Sequence, residues 1–257
     1  MKLNIKRTIT EDLKPEEILD LLLEDRGIKE DQDFLNPKHP KDISLKDFFE
    51  DSVRFQKDMD KTVSLLNDIK KTGKKVVVYT DYDADGITGG AILWETFFLL
   101  GFNAMPYVPH RHLEGYGFSK KGIDAVKEKF DPALIISVDH GIAAAEKITY
   151  AKSLGIPIVI TDHHMKSSVN PDDALAIFHT DKLSGSGVSY FFSKELYKHF
   201  KLDSKNIAKL ESHFESDYLN LATVGTIADL VPLVGPSRSL VKHGLKNFKS
   251  CCRPGIV

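Results

Sequence analysis

Three aspartates, Asp81, Asp83 and Asp85, stand at alternate positions in "VVVYTDYDADGITGG", residues 76–90, behind an apolar run and ahead of a glycine. In an extended chain alternate side chains share a face, so the three carboxylates are expected together until the glycine turns the chain. Like charges held this close repel unless they are protonated or matched by a cation. Something positive belongs among them; the alternative, for this stretch alone, is an acidic turn open to solvent. The order D-x-D-x-D-G also opens a calcium-binding EF-hand loop. That reading fails, because the twelfth residue from Asp81 is Ile92, where a bidentate glutamate is required, and the preceding run reads as a buried strand rather than a helix.

Two further segments carry the same kinds of side chain. Asp139-His140-Gly141 follows "ALIISV", and Asp162-His163-His164 follows "IPIVIT". Asp139 alone would be unremarkable, whereas two consecutive imidazoles beside a carboxylate are seldom needed for packing.

The elements that would position these residues follow from patterning. "KVVVYT", "NAMPYV", "ALIISV", "IPIVIT" and "ALAIF" are continuous apolar runs, separated for the most part by amphipathic stretches such as 87–100, 119–130 and 143–154. Continuous runs indicate strands buried on both faces, and helical crossovers indicate parallel pairing. The expected fold is α/β: an open, mostly parallel five-stranded sheet with helices on both faces. Ligands of such sheets sit beyond the carboxyl ends of the strands, and three successive strands here end in acids or histidines. Mixed carboxylate and imidazole donors suit manganese, magnesium or iron better than a thiolate zinc site. An aspartate bridging two ions about 3.5–4 Å apart would clamp the attacking and leaving oxygens of a phosphoryl transfer. The cluster thus points to a phosphoesterase.

Before the first strand, residues 15–35 show helical spacing at Ile18, Leu21, Leu22 and Leu23, "FLNPKHPKD" reads as irregular, and a helix is expected over 59–71 with Gly73 as its stop. We therefore expect residues 1–58 to be a small helical and irregular segment packed on the core, and 59–257 to be the catalytic domain. "PHRHLEGYG" offers His110, Arg111, His112 and Tyr116, and an arginine there is suited to bidentate phosphate contact. "SGSGVSYFFSKELYKHF" reads as a glycine-rich turn into a helix whose first amides, at Ser186 and Gly187, could meet a phosphate. "SDYLNLATVGTIADLVPLVG" reads as a longer helix with Asp229 near its end and Pro232 as a stop.

Composition narrows the class. At 257 residues and 42% hydrophobic content the chain can build a sizeable core. It has no run of eighteen apolar residues and no apolar amino-terminal leader, so a cytoplasmic protein without membrane contact is expected. A formal net charge of −2 gives no support to a basic nucleic-acid-binding surface, although bound divalent ions would reverse the charge locally. The adjacent Cys251 and Cys252 have neither zinc-site spacing nor the count of a disulfide framework.

"DYDADG", "VDHG", "DHH" and "GTIADLVPL" resemble, in order, motifs I to IV of the DHH phosphoesterase superfamily. "LLEDRGIKEDQDFLNP", "KDMDKTV", "YVPHRHLEGYGFS", "GSGVSYF" and "RPGI" are similar to its RecJ branch, bacterial single-strand-specific 5′→3′ DNA exonucleases of repair and recombination, over nearly the whole chain. The resemblance implies Asp81, Asp83, Asp85, Asp139, His163 and Asp229 as ligands of two Mn²⁺ or Mg²⁺ ions, with Asp139 as the bridge. It implies His164 on the scissile phosphate or the attacking water, Asp162 orienting its neighbours, and the His110, Arg111 and Tyr116 segment near the 5′ end of single-stranded DNA.

The chain departs from its family in places. His140 stands where relatives have a cysteine and is expected close enough to influence the cluster; "FHTDK" replaces a usual Asn-Pro-Lys, with a shortened loop after it. The sequence stops at "RPGIV", ahead of the DHHA1 and OB-fold domains of RecJ relatives. Metal binding is expected without them, tight and processive strand binding is not. Two other functions share the fold: hydrolysis of a short oligonucleotide, cyclic dinucleotide or other small phosphate compound, and a non-catalytic scaffold. Scaffolds of this kind usually lose ligands, and none is lost here.

Overall fold

The computed structural model describes residues 12–29, 31–49, 51–251 and 253–256; residues 1–11 of the expected amino-terminal segment lie outside the described residues, as does Cys252. Among the described residues, those up to Pro37 form one compact unit and those from Lys38 onward another. The first unit contains α1 (Pro15–Asp25) and α2 (Asp31–Leu35). Helix α1 starts where a proline needs no N–H partner, with the Glu17 carboxylate accepting from the Lys14 amide at 2.7 Å. The helical spacing at Ile18 to Leu23 lies in α1, and Gly27, with a φ of +66°, ends that helix.

The second unit opens with short 3-10 turns at Pro40–Asp42 and Leu45–Phe48. It continues through α3 (Ser52–Thr72), β1 (Lys75–Thr80), α4 (Ala84–Leu99), β2 (Asn103–Tyr107), α5 (Lys120–Phe130), β3 (Leu134–Val138), α6 (Ala145–Ser153), β4 (Ile158–Asp162) and β5 (Ala176–His179). Helices α7 (Gly185–Leu196), α8 (Ser204–Glu215), α9 (Asp217–Ala228) and α10 (Gly235–Asn247) complete it. Helix α3 begins before the expected residue 59 because Asp51 caps it, accepting from the amides of Val53 and Arg54 at 3.0 and 2.8 Å. The expected boundary at 58/59 therefore falls inside a helix. At that point the buried Asp58 carboxylate accepts the Ile177 amide at 3.1 Å, which ties α3 to β5.

All five strands are parallel, in the order β2-β1-β3-β4-β5. Alternation divides their side chains between two cores. Val76, Val78, Leu134, Ile136, Val138 and Val159 face one, with α3, α4 and the helices from α7 on. Val77, Tyr79, Ile135, Ile158 and Ile160 face the other, closed by Ile123 and Val126 of α5 and Ile148 of α6. Both faces are thus covered, which is why β1, β3 and β4 read as unbroken apolar runs.

The connection after β2 passes to β3 on the other side of β1, so the order reverses between β1 and β3. A crevice opens beyond the carboxyl ends of strands at such a reversal. The ladder runs one residue past each strand there: the Asp81 amide donates to the Val138 carbonyl at 3.1 Å and the Asp139 amide to that of Thr161 at 3.0 Å. Both acids are thereby fixed at the rim.

Candidate metal centre

The three aspartates of the first motif have three different roles in the backbone. Helix α4 starts at Ala84, earlier than strand alternation with a turn at Gly86 would have it. Asp83 is its N-cap, with its carboxylate accepting the Gly86 amide at 2.9 Å, and Asp85 already lies in the first turn. Asp81 is fully buried; one of its oxygens accepts the Tyr82 amide at 2.7 Å, while Oδ2 has no hydrogen-bond partner. Asp85 reaches the start of α7 and takes the amides of Gly185 and Ser186 at 2.5 and 2.9 Å.

This last contact corrects an expectation. The amides at the start of α7 do meet an anion, but it is the Asp85 carboxylate from within the chain. The Gly187 amide is taken by Ser184 Oγ at 3.2 Å, and Ser186 Oγ lies against Ser184 Oγ at 3.0 Å; both residues are buried. The Ser186 amide thus serves the carboxylate cluster and the Gly187 amide the helix cap, and neither is offered to a substrate phosphate. Two glycines make the approach possible, since a Cβ at Gly185 would collide with Asp139 Oδ1 and one at Gly225 with Asp85 Oδ1.

Asp139 has a φ of +67°, a left-handed conformation that costs a non-glycine residue on the order of 1–3 kcal/mol. The turn delivers its carboxylate, 1% exposed, to the middle of the cluster, where Oδ1 has no hydrogen-bond donor. His163 Nε2 lies 3.1 Å from Asp139 Oδ1, 3.4 Å from Asp229 Oδ2 and 3.9 Å from Asp85 Oδ2. It too is buried without a hydrogen-bond partner. Asp229 arrives from the carboxyl end of α9, its amide bonded to the Gly225 carbonyl at 2.9 Å.

These atoms form three overlapping sets, each with its donors within 4.8 Å of one another: Asp81, Asp83 and Asp139; Asp139, His163 and His164; Asp85, His163 and Asp229. Asp139 belongs to the first two and so stands between the Asp81–Asp83 pair and the histidines. Burial raises the carboxyl groups of Asp81, Asp139 and Asp229 above the usual range, and at Asp139 the neighbouring Asp85 and Asp83 add to it. Buried polar atoms are nearly always partnered. Three that converge partnerless, Asp81 Oδ2, Asp139 Oδ1 and His163 Nε2, are what a carboxylate and imidazole cation site needs. The residues present fit divalent ions.

Asp162, at the end of β4, is the opposite case. Its Oδ1 accepts the amides of His163 and His164 at 2.7 and 3.1 Å and lies 2.8 Å from His164 Nδ1, and its Oδ2 accepts the Ile142 amide at 2.8 Å. Burial works to raise this carboxyl, but the His164 ring and the amides outweigh it and hold it down at about 2. The bond to Asp162 in turn raises His164. On its far side His164 Nε2 lies 2.9 Å from the Tyr116 hydroxyl, and its carbonyl is 2.7 Å from His179 Nε2. His179 escaped the sequence reading, although "FHTDK" marked the place as unusual.

The 108–118 loop approaches from the β2 side. The Tyr116 ring meets that of Tyr82 edge-on at 6.2 Å, and the Arg111 guanidinium lies over the Tyr82 ring at 5.2 Å. The sequence signals Tyr82 only by its place between two aspartates of the first motif. His110 is held by its backbone, the amide donating to Glu114 at 2.9 Å, while its ring faces His112. His140, expected close enough to influence the cluster, packs into the apolar core with its ring 4.4 Å from Phe118 and Nε2 3.1 Å from the Tyr79 carbonyl; burial lowers it to about 4, against the opposing charge of Asp162.

The model of the DHH family, N-terminal domain, matches residues 75–226. The chain is 34% identical over 212 residues to the single-stranded-DNA-specific exonuclease RecJ of Salmonella typhimurium strain LT2, covering 77% of this chain and 36% of that protein. It is 31% identical over 258 residues to the protein of the same name from Bacillus subtilis strain 168, covering 97% of this chain and 30% of that one. The chain thus spans about a third of the length of these curated relatives. The crystal structure of RecJ in complex with Mn²⁺ from Thermus thermophilus superposes with a TM-score of 0.66 at 27% identity, over 92% of this chain and 32% of that one.

Proposed function

Since the chain belongs to the DHH family, we propose that it is a metal-dependent phosphodiesterase that removes nucleotides from the 5′ end of single-stranded DNA. The observation that carries this reading is the convergence of Asp81 Oδ2, Asp139 Oδ1 and His163 Nε2, buried and unpartnered, among the carboxylates of Asp83, Asp85 and Asp229. These six residues would hold two Mn²⁺ or Mg²⁺ ions, with Asp139 between them. When bound, such ions activate water for attack and neutralise charge on the phosphate. Exonuclease relatives of this sequence and a Mn²⁺-bound structural neighbour support the assignment. All six ligands lie in residues 59–257, which we take as the catalytic domain.

The chain's own residues supply position and protons. Asp162 stays ionised and fixes the His164 ring through Nδ1, so that Nε2 faces outward. There the imidazolium donates to a non-bridging phosphate oxygen, in the place now taken by the Tyr116 hydroxyl. Arg111, carried on Tyr82, presents a planar pair of N–H donors to the neighbouring phosphate. Asp85 holds the start of α7 and so sets the depth of the crevice floor.

The test is incubation of the purified chain with Mn²⁺ and 5′- or 3′-labelled single-stranded DNA beside an Asp139→Ala control. Mononucleotides released progressively from the 5′ end, and absent with the control, are expected. Hydrolysis of dinucleotides or other small phosphate compounds with intact DNA would replace this reading by the small-substrate one.

A further inference from the structure

A cavity of about 500 Å³ opens directly beside His163 and His164 on the β5 side of the rim, opposite the Arg111 loop. That volume lies in the range of pockets that enclose a small organic ligand. No residue placed in the mechanism above lines it other than the two histidines.

Its walls combine two chemistries. Phe48 and Phe49 form an apolar side: Phe48 is anchored edge-on to Phe191 at 5.8 Å, the Phe49 ring packs tilted on Phe55 at 4.8 Å, and both stay only partly buried. Thr180 Oγ1 holds the Phe48 carbonyl at 3.4 Å, which fixes this corner to the end of β5. Met165, 90% exposed, forms the lip next to His164. The other chemistry is cationic. Arg54 reaches in from the first turn of α3 and has only a 3.9 Å contact with Asp58, while the Lys166 and Lys182 ammonium groups have no acceptor among the described residues. Of the two acids in the wall among the described residues, Asp51 is engaged as the α3 cap and Asp181 is the other.

An aromatic face and separate cations side by side are what a nucleotide requires: stacking for the base, charge for the phosphates. Continuity with the centre sets which nucleotide. With Arg111 and Tyr82 on the β2 side and this cavity on the β5 side, a strand whose scissile phosphate lies at His164 spans the whole rim.

We propose that the cavity is a nucleotide subsite for single-stranded DNA, holding the nucleotide next to the cleaved phosphate on the side away from Arg111, its base against Phe48 and Phe49 and its phosphates toward Arg54 and Lys182. The proposal rests on the single-strand reading above and deepens it.

The test is binding of a short fluorescein-labelled oligothymidylate by fluorescence anisotropy, over a salt series with EDTA present so that nothing is cleaved. The double variant Arg54→Ala/Lys182→Ala is compared with Lys205→Ala/Lys209→Ala, which removes the same charge from exposed positions of α8. We expect the first pair to raise Kd about tenfold and to flatten the salt slope by about 1.4, two phosphate contacts at about 0.7 each, and the second to do neither. Equal weakening by both pairs, no change with either, or no binding by the unaltered chain overturns the subsite. Release of mononucleotides with Mn²⁺ is scored separately. A chain that binds through the cavity but cleaves nothing sinks the hydrolytic reading alone; one that cleaves while the first pair binds normally sinks the subsite alone.

Discussion

The turn after β3 and the end of β4 each bury one aspartate to the same depth, Asp139 and Asp162 both being 1% exposed, yet their surroundings are opposite. Asp162 gathers three backbone amides and an imidazole and is held ionised. Asp139 Oδ1 gathers no donor, and its carboxyl is raised by burial and by the neighbouring carboxylates. At these two positions the chain satisfies one carboxylate and leaves the other to its neighbouring carboxylates, open to a cation; Asp85, which takes two amides and still lies in the cluster, stands between them. Residue type and burial do not distinguish the two, and only the donor count does.

The strongest separation of the two residues is in activity. Asp139→Ala should lower hydrolysis at least ~1,000-fold while the fold persists, because the chain itself depends on few contacts of this carboxylate. Circular dichroism beside the nuclease assay checks both halves, and an unfolded variant would erase the contrast. Asp162→Ala should act first on stability. It strands the amides of Ile142, His163 and His164, a loss of about 2–4 kcal/mol in urea unfolding, and it lowers activity by freeing the His164 ring.

The pH dependence should separate the same two residues. Asp139 is raised in the fold, so the stability linked to it is complete below the ordinary carboxylate range and is lost as pH rises toward its raised value. In EDTA the melting temperature should therefore fall from acid toward neutral pH, and Asp139→Asn should flatten that fall. Asp162 is depressed, so its contribution is present above the ordinary range and disappears only as pH falls through about 2. A melting profile unchanged by Asp139→Asn would remove the distinction between the two acids.

A smaller effect concerns a glycine. Gly185→Ala would press a methyl group against Asp139 Oδ1, and Mn²⁺ affinity should drop about 10–100-fold, the usual cost of disturbing a ligand from behind. Titration calorimetry reads this directly. The smallest is His179→Phe, which removes the group on the His164 carbonyl and should lower kcat a few-fold with KM unchanged.

What the sequence made legible was local. The five strands stand where the apolar runs put them; β1, β3 and β4 are buried on both faces and so must be apolar throughout, while the edge strands β2 and β5 are only partly buried. The acids and histidines at their ends could be read from the same runs. Helices α8 and α10 were not assigned, being short of apolar residues, and the start of α3 was hidden in the Asp51-Ser52 cap. The misreading at Ser186 and Gly187 has a plain cause. A glycine-rich helix start announces amide donors but not their acceptors, and here these are Asp85, far away in the chain, for Ser186 and the Ser184 cap for Gly187. His140 shows the same limit, since nothing beside it in the sequence tells that its ring turns toward Phe118. The cavity walls, at residues 48–54 and 165–182, come together only through the pairing of β4 with β5 and the docking of α3.

If the partnerless atoms around Asp139 are a cation site, titration of Mn²⁺ into the metal-free chain shows it most directly. Saturable binding of two ions per chain is expected, reduced in stoichiometry or affinity by Asp139→Ala and retained by Asp162→Asn. Absence of saturable binding, or binding indifferent to Asp139→Ala, would contradict the assignment.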